Sequence, residues 1–307
     1  MMNKIPSKDN LQTQVIRKEL KDYAKLKNIS VQIVYFKFFF EIFLYRLSIS
    51  KYCNNFALKG GLLLYYHDLD MRGTKDLDLS IREISFNEEY LVKIIKEIAS
   101  IKCDDGVIFD LDSIRSIKTS IGFKFYIDGF LGRMRIVVQI DVSEGYEEQN
   151  LPNLVKIIEY PVIIGENMPL IRGEILEVLI ADKFEGMITR TVHNTRIKDY
   201  YDIFNIGKNK QIDGDKLREL IIYIFKKKEL TTRFIENHVY FSGEIVFDER
   251  LVNNWNQFKE RNPQITEEFE LIMRRNQEFF RPVFKSLIKD EKFPFQWNPQ
   301  KLKWIRN

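Results

Sequence analysis

Two aspartates one residue apart, Asp76 and Asp78, interrupt an apolar segment that begins soon after a pair of glycines, in FALKGGLLLYYHDLDMRGTKDLDLSI (residues 56–81). Alternate residues of a strand face the same side, about 6–7 Å apart. A strand here therefore puts both carboxylates on one face and Leu77 and Leu79 on the other. At a separation of about 6 Å, two unit charges repel by roughly 0.7 kcal/mol in water and by about 3 kcal/mol at an effective dielectric of 20. Two readings follow. The strand is a solvated edge, where charges cost little and discourage edge pairing. Or it lines a cleft in which a divalent cation offsets the repulsion; Mg²⁺ takes a few carboxylates and completes its shell with water and substrate phosphate.

The residues before the strand bear on that choice. Lys59-Gly60-Gly61 precedes LLLYY, which reads as a short helix. Glycines at a helix entrance let backbone N–H groups approach a phosphate closely, and a purely structural turn explains them equally well. Taken in order, the glycines, the short helix, a turn carrying Arg72 and Thr74, and the Asp76–Asp78 strand would set a triphosphate loop beside a metal-binding strand. A third acid is available in RIVVQIDVSEG, where Asp141 ends an apolar strand and Ile140 and Val142 point the other way. Phosphoryl-transfer sites with two metals about 3.5–4 Å apart draw on such acids. The alternative is an ordinary turn residue at a strand end.

Around this segment the chain reads as an α+β protein of 307 residues, long enough for two domains. Apolar residues recur at helical spacing from about residue 8 to 50, and VQIVYFKFFFEIFLYRL reads as a buried helix, too short and too interrupted by Lys37 and Glu41 to span a bilayer. ISFNEEYLVKIIKEIAS is an amphipathic helix with Leu91, Ile94, Ile95 and Ile98 on one face. SIRSIKTSIGFKFYIDG and RMRIVVQIDVSEG read as two strands joined by a turn at DGFLG, and LPNLVKIIEYPVIIGE as extended structure and loop. From about residue 172 the pattern is helical again, with an interruption expected at Pro282; the aromatic, basic tail FPFQWNPQKLKWIRN either packs on the body or meets a ligand. The expected division is an N-terminal helical segment (1–51), an α/β core (52–165) and a helical C-terminal domain (166–307).

The net charge of +4 is too small to identify a polyanionic partner. Cys53 and Cys103 lack metal-ligand spacing and suit a reducing compartment. No secretory signal is visible at the N-terminus, so the expected location is the cytoplasm, with no membrane partner. His67, His193 and His238 form no triad, and the P-loop and Rossmann fingerprints are missing from the sequence.

Two downstream blocks carry further charge. On a helix, EILEVLIADKFEGMITR aligns Leu176, Leu179, Lys183, Gly186 and Arg190 along one stripe. Lys183 thus interrupts the apolar face, and either snorkels outward or meets an anion. In RIKDYYDIFNI, the pairs Lys198/Asp202 and Arg196/Asp199 have the spacing of ordinary surface salt bridges.

Together, ALKGGLLL…RGTKDLDL, VQIDVSEG, ADKFEGMITR and RIKDYYDIF resemble the AbiEii/AbiGii toxin family, a branch of the DNA polymerase β-like nucleotidyltransferases found in phage abortive-infection and type IV toxin–antitoxin loci. The blocks occur in the family's order and span about residues 55–210. The resemblance implies a polymerase β-like core with a mixed sheet and flanking helices. It also implies nucleotide-binding roles for Gly60, Gly61, Arg72, Thr74, Arg190 and Lys198. Asp76, Asp78 and Asp141 would be metal ligands and catalytic, Lys183 an essential lysine that also binds nucleotide, and Asp199 a later essential acid, with Asp202 its neighbour. Mg²⁺ or Mn²⁺ would be the cofactor and an NTP the substrate. The implied activity moves an NMP to an acceptor, foremost the 3′ end of tRNA or another RNA, and is opposed by a cognate antitoxin such as a winged-helix regulator. Two other readings stay open: the same site acting on a protein or small-molecule acceptor, and a non-catalytic nucleotide-binding module.

Overall fold

The computed structural model describes residues 10–69, 73–146, 151–230 and 238–306. They form two compact units, Met1–Glu174 and Ile175–Asn307.

In the first unit, helix α1 (Leu11–Lys27) starts at Asn10, whose side chain accepts from the Thr13 N–H, and ends at Asn28 in the left-handed conformation. Helix α2 (Val31–Ser48) is apolar around most of its circumference and is buried accordingly, as its composition predicts. Its three charged residues, Lys37, Glu41 and Arg46, have partners within the unit. Arg46 donates to the Ala99 and Val107 carbonyls and to the Asp105 carboxylate. Lys37 lies 3.1 Å from Glu41 and 3.2 Å from the centre of the Tyr65 ring, and the Ile163 N–H donates to Glu41.

Burial pushes the Glu41 carboxyl up to about 7, against the pull of Lys37 and the Ile163 N–H. Between the unfolded value near 4.5 and the folded one, only the folded protein holds this proton. Stability should therefore fall as pH rises through that window, by an amount on the order of 3 kcal/mol. Urea unfolding of wild type and Glu41→Gln should give stability curves that diverge below about pH 7; parallel curves would show that Glu41 titrates normally.

A mixed sheet occupies the rest of the unit, in the order β3-β4-β5-β2-β1-β7-β6. Its strands are β1 (Phe56–Leu58), β2 (Leu77–Ile81), β3 (Val107–Lys118), β4 (Gly122–Leu131), β5 (Met134–Glu144), β6 (Val155–Glu159) and β7 (Leu170–Glu174). The pairs β2–β5 and β1–β7 are parallel and the others antiparallel. Short helix α3 (Gly60–Tyr66) and amphipathic helix α4 (Glu88–Ala99) complete the unit, and α4 buries the four apolar residues expected of it.

Two local expectations need correction. SIRSIKTSIGFKFYIDG is not one strand: it contains the end of β3, a turn at Thr119–Ile121 and most of β4. The turn carries no Pro or Asn-Gly signal, and Gly122 in extended backbone closes it. The hairpin turn between β4 and β5 is also tighter than DGFLG, with only Gly132 (φ +60°) and Arg133 between paired Leu131 and Met134. In addition, β6 and β7 form a ladder that carries the sheet to Glu174, past residue 165. β7 is only five residues long and includes Gly173, so its local strand signal is weak.

The second unit holds helices α5 (Leu176–Arg190), α6 (Lys198–Asn209), α7 (Gly214–Lys227), α8 (Glu249–Arg261) and α9 (Phe269–Ile288), with a small sheet of β8 (Ile212–Asp213), β9 (Phe295–Asn298) and β10 (Lys303–Arg306). Its core is aromatic: Phe184 stacks on Phe280 with centroids 4.1 Å apart and meets Tyr240 edge-on. Contrary to expectation, α9 runs through Pro282 without a break. Interior proline costs about 3 kcal/mol, which burial of Phe279, Phe280, Val283, Phe284 and Leu287 on the same helix offsets. The tail packs on the body: Trp297 donates to the Gly207 carbonyl at 2.7 Å and Trp304 to the Phe279 carbonyl at 2.8 Å. No described helix is long and apolar enough to cross a membrane.

Candidate active site

Strand pairing, rather than proximity in sequence, assembles the acids. The antiparallel β1–β2 pair sets Leu58 opposite Leu79, so the chain leaving β1 passes the start of β2. There the Lys59 N–H donates to the Asp78 carbonyl at 3.0 Å. On the other side of β2, the parallel pairing with β5 places Asp78 directly beside Asp141. Asp76 stands one residue before β2, held by the Thr74 hydroxyl, which donates to its carboxylate at 2.7 Å.

Each of Asp76, Asp78 and Asp141 offers one carboxylate oxygen, and all three oxygens lie within 4.8 Å of one another. All three side chains are half-buried. Oxygens on opposite sides of one octahedral Mg²⁺ are about 4.2 Å apart, given Mg–O distances of about 2.1 Å. Three oxygens within 4.8 Å of one another are close to that span, and hard carboxylate oxygens are the donors that such cations prefer, so the residues fit a divalent metal.

The glycines have a more specific reason than either sequence reading supplied. Gly60 has φ +64°, and a Cβ there would collide with the Asp78 carboxylate. A Cβ at Gly61 would sit 2.6 Å from the Thr74 hydroxyl oxygen. Only a bare backbone lets the entrance of α3 lie against both groups. Gly60→Ala should therefore destabilise the protein by about 1–2 kcal/mol through its left-handed backbone. It should also displace the Asp78 carboxylate and weaken Mn²⁺ binding by the three acids; a variant that melts lower but binds Mn²⁺ as wild type does would show that the carboxylate's position is not critical.

Sequence reasoning missed two groups at this site. Lys124 of β4 lies opposite Asp141 and its ammonium is 2.6 Å from Asp141 Oδ2. Gln139 donates to Asp141 Oδ1 at 2.8 Å. Burial alone would lower the Lys124 pKa, but the hydrogen bond to Asp141 and the charges of Asp141 and Asp76 outweigh it and hold the group above the ordinary lysine range. The correct β4–β5 register would have revealed Lys124, and the i, i+2 spacing would have revealed Gln139. Lys59 also reaches this side, 3.3 Å from the Ser143 hydroxyl. Arg72 lies outside the described residues.

The second unit collects the remaining candidates around Lys183. Lys183 does not snorkel: it is buried on α5, 2.5 Å from Asp199 and 2.8 Å from Asp202 of α6. Arg196 adds a 3.0 Å contact to the other Asp199 oxygen. Asp199 and Asp202 are thus buried partners of a buried cation, whereas sequence spacing suggested surface pairs. Arg190, at the end of α5, and Lys198, at the start of α6, are both half-buried.

The fold has solved counterparts. "Crystal structure of JHP933 from Helicobacter pylori" superimposes with a TM-score of 0.50 at 16% identity, covering 85% of this chain and 95% of that one. "Crystal structure of putative nucleotidyltransferase from H. pylori" gives 0.51 at 16% identity, covering 86% and 100%. No curated protein matches the chain. The family described as "Nucleotidyl transferase AbiEii toxin, Type IV TA system" matches residues 42–280, which include β1 through most of α9. The chain belongs to this family of AbiEii nucleotidyltransferase toxins.

Proposed function

We propose that this nucleotidyltransferase transfers an NMP from an NTP to the 3′ end of tRNA, blocking translation and growth until a cognate antitoxin opposes it. The convergence of Asp76, Asp78 and Asp141 beside the bare backbone of Gly60 and Gly61 carries the reading. These acids would hold Mg²⁺ or Mn²⁺, which when bound would neutralise charge on the triphosphate and acidify the attacking hydroxyl.

The residues of the chain supply the rest. Gly60 and Gly61 let the nucleotide phosphates approach the backbone, and Thr74 keeps Asp76 oriented. Asp141 orients the acceptor hydroxyl and receives its proton. The hydroxyl oxygen forms a bond to the α-phosphorus; the bond from that phosphorus to the bridging oxygen breaks, and pyrophosphate leaves with the electron pair. We assign Lys183, Arg190 and Lys198 to binding nucleotide phosphate, and Asp199 to positioning Lys183. The observed Lys183–Asp199 contact supports that last role.

The acceptor is testable with purified protein, Mg²⁺, each α-³²P-labelled NTP in turn, and total bacterial tRNA with intact or periodate-oxidised 3′ ends. Label should enter intact tRNA only. Label in an RNA-free protein extract, or in oxidised tRNA, would overturn the proposed acceptor.

A further inference from the structure

Both oxygens of Asp141 already hold a donor, Lys124 on Oδ2 and Gln139 on Oδ1. The arrangement is built into the sheet. An unbroken β4–β5 register from Gly122–Ser143 to Leu131–Met134 sets Lys124 opposite Asp141 and so on the same face. Gln139 shares that face two residues earlier on β5. The Lys124 side chain is 37% exposed, so its ammonium can leave Asp141 for water, whereas Gln139 can keep orienting the carboxylate.

Resting on the metal reading given above, we propose that Lys124 is an internal counter-cation of the acid cluster, which yields Asp141 to the incoming divalent cation. An ammonium at the distance of a hydrogen bond from Oδ2 occupies the space and the charge that a metal on that oxygen requires. Before metal arrives, it offsets part of the repulsion among three carboxylates. Once metal has arrived, the freed ammonium stands at the rim of the site, where an anionic substrate could engage it. Lys124 thereby sets the concentration at which the metal binds and protects the metal-free fold.

The test uses the full chain without nucleotide and follows free Mn²⁺ by electron paramagnetic resonance, with thermal melting in parallel. Lys124→Met should bind Mn²⁺ about 5-fold or more tightly than wild type. It should also melt lower in chelator and gain more from added Mn²⁺. Lys124→Arg, which keeps the charge, and Lys118→Met, an exposed lysine of β3, should both bind as wild type does. In an Asp141→Asn background, Lys124→Met should change affinity little. If Lys124→Met unfolds, Lys124→Gln serves for the same comparison. Equal affinity would overturn the proposal while leaving the metal site intact, and weaker affinity would make Lys124 an orienting group for Asp141 instead. Failure of every protein to bind Mn²⁺ would overturn the metal reading itself, and the proposal with it.

Discussion

Asp78→Asn should slow nucleotidyl transfer by about 10³-fold or more, the scale set by loss of a principal charge-stabilising group, yet leave the protein at least as stable as wild type in chelator. The side chain keeps its shape, so the close packing against Gly60 survives. What disappears is one of three carboxylates crowded within 4.8 Å. At an effective dielectric of 20, each such pair would repel by about 3.5 kcal/mol or more. Solvent at this half-buried site and the nearby Lys124 reduce that figure, so a rise of a few degrees in melting temperature is the expected size. Single-turnover rates and melting curves on the same preparation separate the outcomes. A retained rate would remove Asp78 from the chemistry. A large drop in melting temperature would make it a structural residue.

Lys183→Met should behave in the opposite way, losing stability along with activity. The substitution leaves Asp199 and Asp202, 1% and 3% exposed, without the ammonium that contacts both. Breaking a buried pair by removing one partner costs about 3–5 kcal/mol. Relief of toxicity by this variant alone would not distinguish lost chemistry from lost folding. The informative comparison is Lys183→Met combined with Asp199→Asn and Asp202→Asn, which removes the buried charges together. That protein should recover most of the melting temperature and remain inactive if Lys183 binds phosphate. Recovery of both properties would reduce Lys183 to a structural ion pair, and a single variant that melts like wild type would show that the cluster is not holding the helices.

The α+β fold, with helices flanking a mixed sheet, was legible from the sequence because helical and strand periodicities alternate clearly and the motif blocks keep their order. What escaped was mostly set by pairing between distant strands. Nothing local to KTSIGF reveals a turn, since Gly122 works there through extended backbone against the Val142 carbonyl rather than through a familiar turn signature. Nothing local to Pro282 reveals that burial of its neighbours carries α9 through it. At the candidate site, spacing put Asp76 and Asp78 on one face but left a solvated edge open, and Asp76 proves to stand just before the strand rather than within it. Asp141 was legible as a strand-end acid, but its partnership with Asp78 depends on the parallel β2–β5 register. Lys124 escaped for the same reason. Lys183 was visible as an odd charge on an apolar stripe, and its buried partners were mistaken for surface pairs because i, i+3 and i, i+4 spacing says nothing about burial.

The most direct measurement follows label from α-³²P-NTP into tRNA together with pyrophosphate release, for wild type and for Asp76→Asn, Asp78→Asn and Asp141→Asn, in Mg²⁺ and in chelator. The expected result is one pyrophosphate per nucleotide incorporated by wild type in Mg²⁺, with both signals lost in chelator and in each aspartate variant. Undiminished transfer in chelator, or by the folded variants, would contradict a metal-dependent nucleotidyl transfer centred on these three acids.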